Sequence, residues 1–148
     1  FAARPCSTAE VQLPGGEGVT LATTLKGVDE VQAERLARLY GTEAPELAAA
    51  VSESGLVAAE VGQAVLHEGA QRLEDYWVRR SSRAWFDEGA GLARLPQAAS
   101  AMAALLGWDE ARQTAEIQNC RDIDRDSRAG FTTGTSDSGD ADDVRAAG

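Results

Sequence analysis

The chain has 148 residues, the length of one domain, with 43% hydrophobic and 26% charged residues, as in soluble globular proteins. Only 5% is aromatic, so the interior must come mainly from alanine, leucine and valine, which favours close-packed helices over sheets. A net charge of −10 with Lys26 as the sole lysine argues against nucleic acid, and one histidine with two cysteines cannot build a four-ligand zinc site or a disulfide framework.

Residues 1–27 carry Pro5, Pro14, Gly15, Gly16, Gly18 and Gly27 with little periodicity and read as an extended linker. Starting at Phe1 rather than methionine, this stretch suggests a polypeptide that continues upstream. Asp29 and Glu30 place acids at a helix start, and Val28, Val31, Leu36, Leu39 and Tyr40 follow at helical spacing. Gly41 stops that helix, giving about 29–40. Thr42 is the expected N-cap of a second helix, with Pro45 in its first turn and Ser54-Gly55 at its end. Val57, Val61, Ala64 and Val65 define a third helix through about Glu68, weakened at Gly69.

Leu73, Tyr76, Trp77 and Arg80 form the next face, on a fourth helix or a kinked continuation over about 71–84. Asp87 is a candidate cap for a short helix that Gly89 and Gly91 interrupt. Pro96 opens a better one, with Ala99, Met102, Ala103 and Leu106 on one side and Gly107 as terminator. Asp109 then caps a last helix whose inward residues are expected to be Ala111, Ala115 and Ile117. Beyond Ser127 the pattern fades into a Gly- and Asp-rich stretch, expected to be a disordered acidic tail over 128–148. The expected fold is all-α: a compact array of about six helices over 28–127.

Chemistry-bearing residues are few. His67-Glu68 juxtaposes an imidazole and a carboxylate, but adjacent helical positions diverge by about 100°. A histidine bonded to helix neighbours such as Glu60 and Gln63 is the simpler reading. No second histidine follows at the spacing a metal would need, because position 71 is Gln. Arg79, Arg80 and Arg83, with Arg72 before them, make a basic strip suited to a phosphate or carboxylate. Glu74, Asp75, Asp87 and Glu88 flank the strip and can neutralise it, which favours structural or interface ion pairing. Trp77 falls on the apolar face. Trp85-Phe86 lies in a weakly patterned segment, where a large aromatic is more naturally a contact with something outside the chain. No Gly-x-Ser-x-Gly elbow, Gly-x-Gly-x-x-Gly turn or phosphate-binding loop is present. No catalytic, cofactor-binding or metal residue is assigned.

In order and spacing, a set of segments resembles the C-terminal domain of the FAD-dependent glycerol-3-phosphate dehydrogenases and their glycerophosphate oxidase relatives. These are Leu36-Ala37-Arg38-Leu39-Tyr40-Gly41, Val57-Ala58-Ala59-Glu60-Val61 and Ala64-Val65-Leu66-His67-Glu68-Gly69-Ala70. Leu73-Glu74-Asp75, Arg79-Arg80, the Pro96 region, Met102-Ala103 and Leu106-Gly107-Trp108-Asp109-Glu110-Ala111-Arg112 complete it. Leu13-Pro14-Gly15 also resembles the linker that follows the flavin domain in that family.

The resemblance implies an enzyme oxidising sn-glycerol 3-phosphate to dihydroxyacetone phosphate, with FAD accepting hydride and electrons passing to quinone, or to oxygen in the oxidases. It places FAD and the catalytic groups in an upstream FAD-binding domain. This chain would then be an accessory cap that binds no cofactor itself, and the whole enzyme would be cytoplasmic or peripheral to the inner face of the membrane. His67, Glu68, Asp75, Arg79, Arg80 and Trp85 are the candidates for interdomain contact, with Glu60 part of the domain architecture. An uncovered docking face would also promote self-association into a homodimer.

Two positions depart from the family pattern: Arg72, where relatives carry a hydroxyl residue, and Ser82, where they carry arginine, the third arginine here being Arg83. The alternative reading is a free-standing helical protein-interaction module. A small independent enzyme using His67 with Glu60 or Glu68 is a third.

Overall fold

A computed structural model of the chain describes residues 25–132 together with Val11; the expected linker up to residue 24 and the expected tail beyond Thr132 lie outside the described residues. The described residues form an all-α array without strands. Helix α1 (Glu30–Tyr40) begins with a capping box: Asp29 accepts from the Gln32 amide at 2.8 Å and the Gln32 side chain accepts from the Asp29 amide. One 3-10 turn, Gly41–Glu43, leads into α2 (Ala44–Ser54), with Pro45 in its first turn. Thr42 therefore sits inside the 3-10 turn and is not the cap, because the chain turns directly from one helix into the next without an extended residue between them.

Helix α3 (Leu56–Leu66) follows Gly55, whose φ of 84° only glycine adopts easily. It ends at Leu66 rather than at Glu68, with His67 as its C-cap residue. The chain is helical again from Leu73, but Asp75–Arg80 is wound as a π-helix. The Ser81 amide reaches back five residues to the Tyr76 carbonyl at 2.8 Å, and the Ser81 hydroxyl donates to the same oxygen at 2.8 Å. The widened turn lets two adjacent aromatics, Tyr76 and Trp77, both be buried. Helical continuity ends there. Ser82 adopts a left-handed φ of 55°, and a new short helix, α4 (Arg83–Phe86), starts in a different phase.

A 3-10 stretch, Glu88–Arg94, is kinked at Gly89, Ala90 and Gly91, all with positive φ. Asp87 precedes it without capping it, since its carboxylate is engaged by arginines instead. Helix α5 (Leu95–Leu106) starts with Pro96 in its first turn and stops at left-handed Gly107. Helix α6 (Glu110–Thr132) is capped by Asp109, which accepts from the Arg112 amide at 2.7 Å, and it continues past Ser127.

Two apolar clusters hold the array together. The larger joins α3, the π segment, α5 and α6 through Val57, Val61, Leu73, Trp77, Leu95, Met102 and Cys120. Ala98 and Ala99 are fully buried there, so their small side chains bring α5 close to its neighbours. Trp77 is 1% exposed and donates its indole N–H to the Ala90 carbonyl at 2.7 Å, so its polar atom is matched as burial requires. The smaller cluster joins α1, α2 and the start of α3 through Leu25, Leu36, Tyr40, Leu47 and Val51.

Two expected inward faces turn out differently. Val31 is 79% exposed and Leu39 39%, because the buried stripe of α1 runs through Leu36 and Tyr40; five positions before Leu36, Val31 falls on the far side. On α6, Ala111 and Ala115 face solvent, and the inward side is Glu116 and Cys120 with the half-buried Ile117 and Ile123. A carboxylate buried among apolar residues masked that face in the sequence.

Candidate functional site

Glu60 is the only charged residue of α3, and it is fully buried. A carboxylate in such a place is tolerable only if its oxygens are hydrogen-bonded and its charge matched. Both conditions hold. Its Oε1 accepts from Arg35 Nε of α1 at 2.6 Å. Its Oε2 accepts from the Tyr76 hydroxyl at 3.1 Å and from Arg83 Nη2 at 2.5 Å and Nε at 3.2 Å. Arg83 is itself 2% exposed and donates through Nη1 to Asp87 at 2.6 Å. Arg35 also donates to the Ser81 carbonyl at 2.8 Å, capping the end of the π segment. One ionic hub thus ties together α1, α3, the π segment and α4, and Asp87 extends it to the exposed Arg94 at 3.5 Å.

The electrostatics of the hub suit structure rather than proton transfer. Burial, then the charge of Glu60, holds the Tyr76 phenol well above its ordinary pKa, and the same two causes raise Tyr40. Burial alone would lower Arg83, but Tyr76, Glu60 and Asp87 reverse that and raise it. Elsewhere in the core, burial and then Glu116 and Glu74 push the Cys120 thiol up to about 12, so it stays a thiol at neutral pH. A general acid or base needs a pKa near the working pH and a free lone pair or proton. Glu60 has neither oxygen free, and these tyrosines and this cysteine titrate too high.

The residues singled out in the sequence are distributed over the surface. Arg79 pairs with Glu74 at 3.1 Å and Asp75 at 2.8 Å. Asp75 also accepts from the Gln71 and Arg72 amides at 3.1 and 3.0 Å, tying down the start of the helix that begins at Leu73. Arg72 therefore stands at the N-cap position, where a hydroxyl side chain would cap; here Asp75 reaches back, and the Leu73 amide donates to buried Glu116 at 2.9 Å. Arg80 donates to the Glu68 carbonyl at 2.9 Å and pairs with its carboxylate at 3.7 Å. Burial raises the Glu68 pKa, with Arg80 opposing and Glu43 adding to the rise. His67 is exposed at the end of α3, away from the Glu60 hub, whose contacts are Arg35, Tyr76 and Arg83. Trp85 is 63% exposed and its neighbour Phe86 83%.

Arg83 therefore leaves the strip to which the sequence assigned it. No single helix runs through positions 82 and 83, because left-handed Ser82 precedes a new helix that starts at Arg83. Arg35, Tyr76 and Asp87 were not recognised as Glu60's company in the sequence. The available signal was Glu60 itself, a lone carboxylate in the Val- and Ala-rich Leu56–Leu66 segment, which announces a buried partner without saying which.

Two open concavities adjoin this region. One, of about 440 Å³, borders the hub between Arg35, Arg83, Arg94 and Gln97; the other, of about 380 Å³, has Val31, Leu39 and Phe86 in its lining beside Glu34, Arg35, Arg38, Ser81 and Ser82. Among the described residues no cluster of His, Cys, Asp and Glu could hold a metal ion, and no helix is long and apolar enough to cross a membrane. A dinucleotide flavin is held by a strand followed by a glycine-rich turn at a helix start. The described residues contain no strand and therefore not that motif.

Among the described residues the buried charges Glu60, Arg83 and Glu116 are all paired within the domain. The chain belongs to the family of the C-terminal domain of alpha-glycerophosphate oxidase, which matches residues 6–113. It is 32% identical to a probable mitochondrial glycerol-3-phosphate dehydrogenase of Dictyostelium discoideum over 80% of this chain and 21% of that protein. To the mitochondrial glycerol-3-phosphate dehydrogenase SDP6 of Arabidopsis thaliana it is 28% identical, over 65% of this chain and 17% of that protein. The chain thus spans about a fifth of the length of the curated relatives it matches. No solved structure matches it.

Proposed function

We propose that this chain is the C-terminal helical domain of an FAD-dependent glycerol-3-phosphate dehydrogenase and serves there as an accessory cap. The observation that carries the proposal is the family match over residues 6–113, reinforced by relatives named as glycerol-3-phosphate dehydrogenases. In this reading an upstream domain binds FAD and sn-glycerol 3-phosphate. There the flavin would supply the hydride acceptor for turning the secondary alcohol into the ketone of dihydroxyacetone phosphate, with quinone as the final electron acceptor. The whole enzyme would work at the cytoplasmic face of a membrane as a peripheral protein. The helical domain contributes no reacting group. That division of labour accords with a hub in which each polar atom of Glu60 is occupied by Arg35, Tyr76 or Arg83.

The test is to express the complete reading frame that contains this domain and add sn-glycerol 3-phosphate without oxygen. A bound flavin whose visible absorbance bleaches on addition is the expected result. A purified polypeptide without flavin, or a flavin that substrate leaves oxidised, would remove this function.

A further inference from the structure

Four large apolar side chains are exposed around one groove or next to it. Val31 at 79%, Leu39 at 39% and Phe86 at 83% line the concavity of about 380 Å³, and Trp85, 63% exposed, adjoins Phe86 in α4. The remaining exposed large hydrophobics of the helices, Leu66 and Leu105, do not line it. An aromatic pair beside aliphatic residues has the composition of an interface centre, and charged groups at the rim complete the pattern. The rim charges Glu34 and Arg38 bond each other at 2.7 Å, so they ask nothing of a partner.

The backbone holds this surface outward. Left-handed Ser82 restarts the helix so that Arg83 turns into the hub while Trp85 and Phe86 face out. A non-glycine residue in that conformation is strained. The two aromatics thus sit on a short helix that Arg83 anchors to Glu60 and Asp87, which lowers the entropic cost of docking on them.

We infer that the Val31–Leu39–Trp85–Phe86 surface is where this domain docks on the preceding, flavin-binding part of its own polypeptide; the inference rests on the function proposed above. The size of the surface favours a tethered occupant over a second copy. Four partly exposed side chains fall well short of the roughly 800 Å² per partner that a stable complex between separate molecules buries. A tethered partner needs less, because the linker holds it at millimolar effective concentration. The curated relatives, of which this chain spans about a fifth, have the length to supply such a neighbour.

Photocrosslinking in the complete polypeptide identifies the occupant. p-Benzoylphenylalanine is placed at position 86 and, as a control on another exposed apolar site, at position 105; crosslinked peptides are mapped by mass spectrometry. Flavin absorbance is recorded on the same samples. Expected is an intramolecular crosslink from position 86 to the flavin-binding part, at least about tenfold more abundant than from position 105, as a buried interface centre requires. A dimer band, a crosslink to residues 1–24, or equal yields at both positions in a flavin-loaded enzyme would overturn the docking surface alone. A polypeptide carrying no flavin would overturn both it and the function on which it rests.

Discussion

Arg80 ends one helical segment and Arg83 begins the next, yet the two arginines occupy different environments. Arg79 and Arg80 are about half exposed; Arg79 pairs with Glu74 and Asp75 one turn back, and Arg80 with Glu68 just past the end of α3. Arg83 is buried and pairs with Glu60 from a distant helix and with Asp87. In water the first kind of pair gains little, since Coulomb attraction is screened and side-chain freedom is lost. In the interior the second kind cannot be broken cheaply, because the surviving charge would be left without solvent or partner. The difference is set by one backbone event, the left-handed Ser82, which changes the direction of the chain between the two groups. Basic residues close in sequence therefore need not form one site.

Substitution can break this contrast from the expensive end first. Arg83→Met should lower stability by about 3–5 kcal/mol, because it strands the Glu60 carboxylate among apolar groups with only Arg35 as a counter-charge. The midpoint of urea unfolding would report it. Ser82→Gly should move the other way, by roughly 0.5 kcal/mol. Relief of about 1–2 kcal/mol of left-handed strain is partly offset by the greater freedom of glycine in the unfolded chain. A raised thermal midpoint is the expected readout.

Acid titration separates the surface group from the hub. The hydrogen bond from Asn119, partly opposed by burial and aided by Arg79, holds the Glu74 carboxyl below its ordinary value. The folded state thus binds that proton less tightly than the unfolded state. The stabilisation is complete at neutral pH and is lost as pH falls from about 4.5 through the depressed folded value. Glu74→Gln should therefore flatten stability against pH in that acidic range while leaving the neutral-pH dependence alone, as unfolding midpoints from pH 3 to 7 would show. Smallest of all, Arg79→Ala should cost less than about 0.5 kcal/mol in the same urea experiment. A loss comparable with that of Arg83→Met would erase the contrast.

Features governed by local chemistry were legible in the sequence. Asp29 and Asp109 cap α1 and α6, Pro45 and Pro96 open α2 and α5, and Gly107 ends α5, as neighbouring residues alone dictate. Trp77 was legible as core from its spacing to Leu73. What stayed hidden depends on contacts far apart in the chain. Arg35 meets Glu60 across 25 residues and the Ser81 carbonyl across 46, and Glu116 meets the Leu73 amide across 43. A periodicity that counts only apolar residues misplaces the inward face of α6, whose buried residues are a glutamate and a cysteine. It also takes Val31 and Leu39 for core, although they are apolar and exposed. Trp85, an aromatic in a weakly patterned segment, stands outside the core.

We propose that the buried charges of this domain hold its fold and that the chemistry lies upstream. Steady-state kinetics of the complete enzyme carrying His67→Ala and Arg79→Ala together test it most directly. With equal flavin content, kcat and KM for sn-glycerol 3-phosphate should stay within about threefold of the unsubstituted enzyme. A fall in kcat of about a hundredfold or more with flavin retained, the scale of losing a general acid or base, would contradict it.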